Sequence, residues 1–178
     1  MSADSTGKVT LGKPVQIGVV VKDIDQAMRM LTELFGIGPW RTTTWPLARP
    51  DMQYVFHGKP GHLKMRLAFA PLGPIELELI QPLEGDSDYS RFLERTGGGL
   101  HHILFDVPDI EAITAELAKQ GVQVLQWGTG LRPGTRWTYL DVEKLVGFRI
   151  ELRNLVPGSD GVSPVPPTPS TTQTEQSS

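Results

Sequence analysis

The sequence predicts an α+β fold made of two tandem βαβββ modules, and two observations carry that prediction. The first is an internal duplication. VQIGVVVKDIDQAMRMLTELFG (15–36) aligns with HHILFDVPDIEAITAELAKQG (101–121) at an offset of 86 positions. Gln16 then lies over His102, Val19 over Phe105, Asp23-Ile24 over Asp109-Ile110 and Leu31 over Leu117. The second is a shared ending: apolar-Glu-Leu, as Leu77-Glu78-Leu79 in one half and Ile150-Glu151-Leu152 in the other.

Each element follows in order. Residues 1–12 are a polar arm. In the first module (13–84), VQIGVVV alternates as a strand, with Val15, Ile17, Val19 and Val21 on the face turned to a helix and Gln16 and Gly18 on the other. Asp23 is placed to cap the following helix, with Gln26 completing a capping box. Ile24, Ala27, Met28, Leu31, Leu34 and Phe35 fall on one helical face. WRTTTW, KMRLAFAPLG and IELELIQP read as the three further strands. DSDYSRFLERTGGG lies in a connector (85–99), a short helix ending in glycines. The second module (100–155) repeats the order: strand, Asp109-capped helix with Ile110, Ile113 and Leu117 inward and Gly121 at its end, then VQVLQWG, RWTYLDV and FRIELRNL. The tail (156–178), rich in Pro, Ser and Thr, lacks apolar periodicity and is expected to be disordered.

Composition narrows the chemistry. The 178 residues include no cysteine, which removes disulfides, thiolate metal sites and thiol catalysis. A net charge of −3 gives no electrostatic reason for a nucleic-acid or anionic-membrane partner. No apolar run reaches the roughly 20 residues of a membrane span, and the N-terminal residues lack a signal-type apolar run, so a cytoplasmic protein is expected.

The duplicated modules, the polar residue early in each first strand and the Glu in each last one resemble the vicinal oxygen chelate superfamily (glyoxalases, bleomycin-resistance proteins, extradiol dioxygenases). The stretch RLAFAPLGPIELELIQPLEGDSDYSRFLERTGGGLHHILFDVPDI (66–110) is similar to its methylmalonyl-CoA epimerase branch. The resemblance implies a U-shaped, partly closed mixed sheet around a cleft, helices outside. It also implies a metal held by one residue from each of four strands, here Gln16, Glu78, His102 and Glu151, and a homodimer.

Strand parity reaches the same four residues. By the repeat, His102 and Leu104 share Gln16's face and His101 sits with Ile103 and Phe105 on the other; Glu76 and Glu78 share one face, as do Arg149 and Glu151. The same acids also read as ordinary strand residues paired with Arg66, Arg149 or Arg153.

Two positions depart from the epimerase pattern. Gln16 stands where a His is usual, and an amide oxygen is a weaker ligand for Zn²⁺, Co²⁺ or Ni²⁺. One His, two carboxylates and an amide suit Mg²⁺ or Mn²⁺, with the softer ions still open. The same change argues against an extradiol dioxygenase, which needs two His and one carboxylate. In addition, HGKPGHLKMRLAF (57–69) holds no acid where the epimerases place a catalytic Glu. His62 is the nearest stand-in, with His57 beside it; Glu76 and Glu151 are the other candidate bases. Tyr54, Trp137 and Tyr139 are candidate pocket residues, and Gly128–Trp137 reads as a flexible loop over the cleft mouth rather than a phosphate loop.

The leading expectation is a metal-assisted epimerase, isomerase or lyase acting on a small oxygen-bearing substrate by proton abstraction next to a carbonyl. Acyl-CoA as that substrate is implied only by the resemblance. The alternatives are a metal-free small-molecule binding protein and a metal-independent enzyme of a secondary pathway.

Overall fold

A computed structural model describes residues 8–155; the expected tail, and residues 1–7 of the expected arm, lie outside them. The elements run β1 (Pro14–Val20), α1 (Ile24–Phe35), β2 (Arg41–Trp45), β3 (Tyr54–Phe56), β4 (Lys59–Pro60), β5 (Lys64–Leu72), β6 (Ile75–Glu84) and α2 (Asp88–Thr96). They continue with β7 (Gly99–Val107), α3 (Ile110–Ala118), β8 (Val124–Thr129), β9 (Arg136–Leu140), α4 (Glu143–Val146) and β10 (Arg149–Asn154).

The strands form one ten-stranded mixed sheet in the order β2-β5-β6-β1-β7-β10-β9-β8-β3-β4. Antiparallel pairing of β1 with β7 joins the modules, and each first strand runs parallel to its own module's last, β1 with β6 and β7 with β10. β2-β5-β6-β1 is thus mirrored by β8-β9-β10-β7, as the duplication predicts. The β3–β4 hairpin falls outside the repeat. It leaves the first module after β2 and adds to β8, the edge strand of the second. Trp45 donates its indole N–H to the Thr129 carbonyl at 2.9 Å, so the two edges meet and the sheet is curled.

Side-chain patterning sets what lies on each face. On the convex side Ile24, Ala27, Met28 and Leu31 of α1 pack with Val19, Val21, Leu77 and Leu79. α3 packs there through Ile110, Ile113 and Leu117 against Val107 and Leu152. Two expectations fail on this side. Leu34 and Phe35 are 62% and 70% exposed because the last turn of α1 runs past the apolar cluster. Val15 and Ile17 stay half-buried outside it. Asp23 caps α1 by accepting from the Gln26 N–H, while a reciprocal capping box forms at α2 between Ser87 and Ser90.

The connector helix α2 sits on the concave face. Tyr89 and Phe92 join Trp45, Tyr54, Phe69, Trp137 and Tyr139 in the largest apolar cluster, which fills one end of the cleft. No helix among the described residues is long and apolar enough to cross a membrane.

Candidate metal and substrate site

Ladder register builds the floor of the cleft. Gly18 of β1 stands between Glu78 of β6 and His102 of β7. In the next row Gln16 neighbours Glu76 and Leu104, and Leu104 in turn neighbours Glu151. All four expected ligands are buried: Gln16, Glu78, His102 and Glu151. Donor atoms of Glu78, His102 and Glu151 lie within 4.8 Å of one another. His102 Nε2 is 2.8 Å from Glu151 Oε2 and 3.4 Å from a Glu78 oxygen. Gly18 makes this possible, because a Cβ there would meet the His102 ring at 1.8 Å.

This donor set fits a divalent cation. His102 Nε2 and Glu151 Oε2 are both buried and neither has a hydrogen bond of acceptable geometry. Buried polar atoms of that kind demand a partner. Electrostatics agree: burial alone would push the His102 imidazole down, but the carboxylates of Glu151 and Glu78 outweigh it and hold it up at about 9. Burial raises the Glu78 carboxyl, the neighbouring Glu151 adds to this, and His102 opposes it. Two crowded carboxylates around one imidazole are a site short of positive charge.

Gln16 is oriented from behind. Its Nε2 donates to Glu76 Oε1 at 2.8 Å, and Glu76 Oε2 is paired with Arg41. The amide nitrogen is thereby committed, leaving the carbonyl oxygen as Gln16's donor atom.

The other candidates separate. Trp137 and Tyr139 line the pocket between the modules together with Trp45, Met65, Leu67 and Phe69. Tyr54 is in the aromatic cluster behind it, its hydroxyl donating to Gln126 Oε1 at 2.9 Å. His62 is not brought to the cleft: its side chain is 69% exposed and pairs with Glu84 at 3.4 Å. His57 is exposed at the β3–β4 turn with φ +49°. The glycine-rich loop does reach the pocket, through Gly130, Leu131, Arg132 and Thr135. Arg49 pins it, donating to the carbonyls of Gly130 and Leu131 at 3.1 and 3.0 Å.

His101 corrects the parity argument. Gly18 pairs with His102 but Val19 pairs with Leu100, so His101 is the extra residue of a β-bulge. A bulge suspends alternation, and both imidazoles turn inward, with ring centroids 5.6 Å apart. His101 is packed among Tyr89, Phe92 and Tyr139, and it reaches Asp88 of α2, which Arg149 of β10 holds through two hydrogen bonds. Nothing in the sequence marks Asp88 as part of the site, since it sits in the connector.

Fold and site together define a duplicated-module protein whose curled sheet carries a buried cluster of metal-type donors at the base of a cleft. The chain belongs to the Glyoxalase/Bleomycin resistance protein/Dioxygenase superfamily, whose profile matches residues 15–139. Among known proteins it is 42% identical over 62 residues to the uncharacterized protein YqjC of Bacillus subtilis, covering 35% of this chain and 44% of that one. It is 28% identical over 122 residues to the mitochondrial methylmalonyl-CoA epimerase of Homo sapiens, covering 67% of this chain and 61% of that protein. The chain thus spans 44% and 61% of the length of these two relatives. In fold it is similar to a Streptomyces coelicolor methylmalonyl-CoA epimerase in complex with 2-nitronate-propionyl-CoA, with a TM-score of 0.61 at 24% identity, covering 83% of this chain and 97% of that one.

Proposed function

We propose that the protein is an acyl-CoA epimerase or isomerase that exchanges a proton on the carbon next to the thioester carbonyl. The observation that carries this reading is the convergence of Glu78, His102 and Glu151, buried and mutually within 4.8 Å, at the base of an aromatic-walled pocket. Gln16, Glu78, His102 and Glu151 would hold a divalent cation. When bound, such an ion supplies a Lewis acid that organises neighbouring substrate oxygens and stabilises charge developing on the carbonyl.

The remaining chemistry belongs to the side chains. Glu151 borders the pocket beside the cation donors, so it is the group to move the proton. Glu76, with its oxygens engaged by Gln16 and Arg41, orients the Gln16 amide instead. Trp45, Phe69 and Trp137 exclude water around the reacting carbon, and the loop pinned by Arg49 covers it.

The test is deuterium uptake. Full-length protein is incubated with methylmalonyl-CoA in D₂O with Mn²⁺, Co²⁺ or Zn²⁺, and the acyl group is read by mass spectrometry. Uptake of a single deuterium well above the uncatalysed rate, abolished by Glu151→Gln, is the expected result. No enhancement with any of the three ions, for this or another acyl-CoA with an acidic α-hydrogen, would refute the reading.

A further inference from the structure

We propose that Asp88 and His101 are positioning residues that fix, through a buried chain of hydrogen bonds, which nitrogen of His102 faces the Glu78–Glu151 cluster. The inference rests on the reading that His102 Nε2 is the atom that serves the site.

The chain begins at Arg149, which donates Nε to Asp88 Oδ2 at 2.7 Å and Nη2 to Oδ1 at 2.8 Å. A carboxylate gripped in this bidentate way is an acceptor only. His101 Nε2, 3.1 Å from the same Oδ2, must therefore carry the hydrogen of that bond. A neutral imidazole protonated at Nε2 has a bare Nδ1. That Nδ1 lies 3.3 Å from His102 Nδ1. Two lone pairs cannot face each other at this distance, so His102 carries a hydrogen on Nδ1 and donates it. His102 Nε2 is left as the atom aimed at Glu151 and Glu78, 2.8 and 3.4 Å away. The Tyr139 hydroxyl also touches His102 Nδ1, at 3.1 Å, but a hydroxyl hydrogen rotates to suit its neighbours and a carboxylate cannot donate. The carboxylate end sets the direction.

The geometry exists because of the bulge. In regular alternation His101 would point to the convex face and could reach neither Asp88 nor its neighbour's ring. Three elements must also coincide, with α2 supplying Asp88, β7 both histidines and β10 the arginine. An outer group that orients a ligating imidazole is worth about 10- to 100-fold in metal affinity.

Two measurements on the full-length chain test this. Nitrogen-15 NMR of histidine-labelled protein at neutral pH reads the hydrogen position directly. His101 is expected to show a protonated Nε2 and an unprotonated Nδ1, and His102 a protonated Nδ1. A protonated Nδ1 on His101 would overturn the proposal. The second measurement is Zn²⁺ affinity by competition with a chromophoric chelator. His101→Phe removes the acceptor and should weaken Zn²⁺ binding about 10- to 100-fold, whereas His101→Gln, which keeps an acceptor, should recover part of the loss. Equal affinities for native protein and His101→Phe would also overturn it. If His101→Phe fails to fold, the native spectrum still decides. If the native protein takes up none of Zn²⁺, Mn²⁺, Co²⁺ and Mg²⁺, the metal reading falls, and the hydrogen-bond chain stands or falls on the spectrum alone.

Discussion

Gly18→Ala isolates the tightest packing requirement of the site. A Cβ at this position would stand 1.8 Å from His102 Cε1 and 2.3 Å from both ring nitrogens, whereas ordinary contact begins at 3.4 Å. The imidazole would have to retreat by about 1.6 Å, judged against that packing limit. It has nowhere to go: His102 is fully buried, with Tyr139 and His101 against it. Overpacking a core with one carbon costs about 1–3 kcal/mol, and a fully enclosed ring belongs at the upper end. For a domain of this size about 3 kcal/mol lowers the melting temperature by about 6–12 °C. The displacement also carries Nε2 away from its 2.8 Å approach to Glu151, so site chemistry should fall about 100-fold. Thermal unfolding by circular dichroism and the deuterium-uptake rate are the assays. A variant that melts with the native protein and keeps its exchange rate would refute the view that Gly18 makes room for His102.

Three further outcomes are expected. Asp88→Asn removes one partner of a buried ion pair and should destabilise by about 3 kcal/mol in urea unfolding at pH 7, the low end for such pairs because Arg149 keeps Asp141 and Glu143. Burial opposes ionisation of Asp88, but His101 and Arg149 outweigh it and hold the carboxyl far below its ordinary 3.8. Its contribution is therefore present at neutral pH and lost on acidification below that value, so the gap between native protein and Asp88→Asn should narrow at pH 3. Gln16→His restores the stronger ligand and should raise Zn²⁺ affinity by about tenfold, measured by chelator competition. Saturating Zn²⁺ at 100 times its Kd should stabilise by about 2.7 kcal/mol, and a melting temperature that ignores Zn²⁺, Mn²⁺, Co²⁺ and Mg²⁺ alike would argue against a cation site.

Much of this was legible in the sequence because the fold is written twice. An offset of 86 positions aligns strand, cap and helix, and period-two alternation then assigns faces to Gln16, Glu78 and Glu151 without knowledge of their partners. His62 illustrates the limit. Its distance along the chain from an RLAF strand says nothing of direction, and its side chain lies outside the cleft against Glu84. The β3–β4 hairpin was illegible for a related reason, since a strand of three residues pairing across the module boundary has no local periodicity to announce it.

By itself the sequence determined the modules, their symmetry and the inward placement of Gln16, Glu78, His102 and Glu151, because hydrophobic alternation and repeat register are local properties of the chain. Tertiary structure alone decided the rest. It placed α2 on the concave face, bulged β7 at His101, and brought Asp88 and Arg149, 61 residues apart, into contact behind the site. Bulges and long-range ion pairs depend on which neighbours a strand acquires, and that information appears only when the sheet has closed around them.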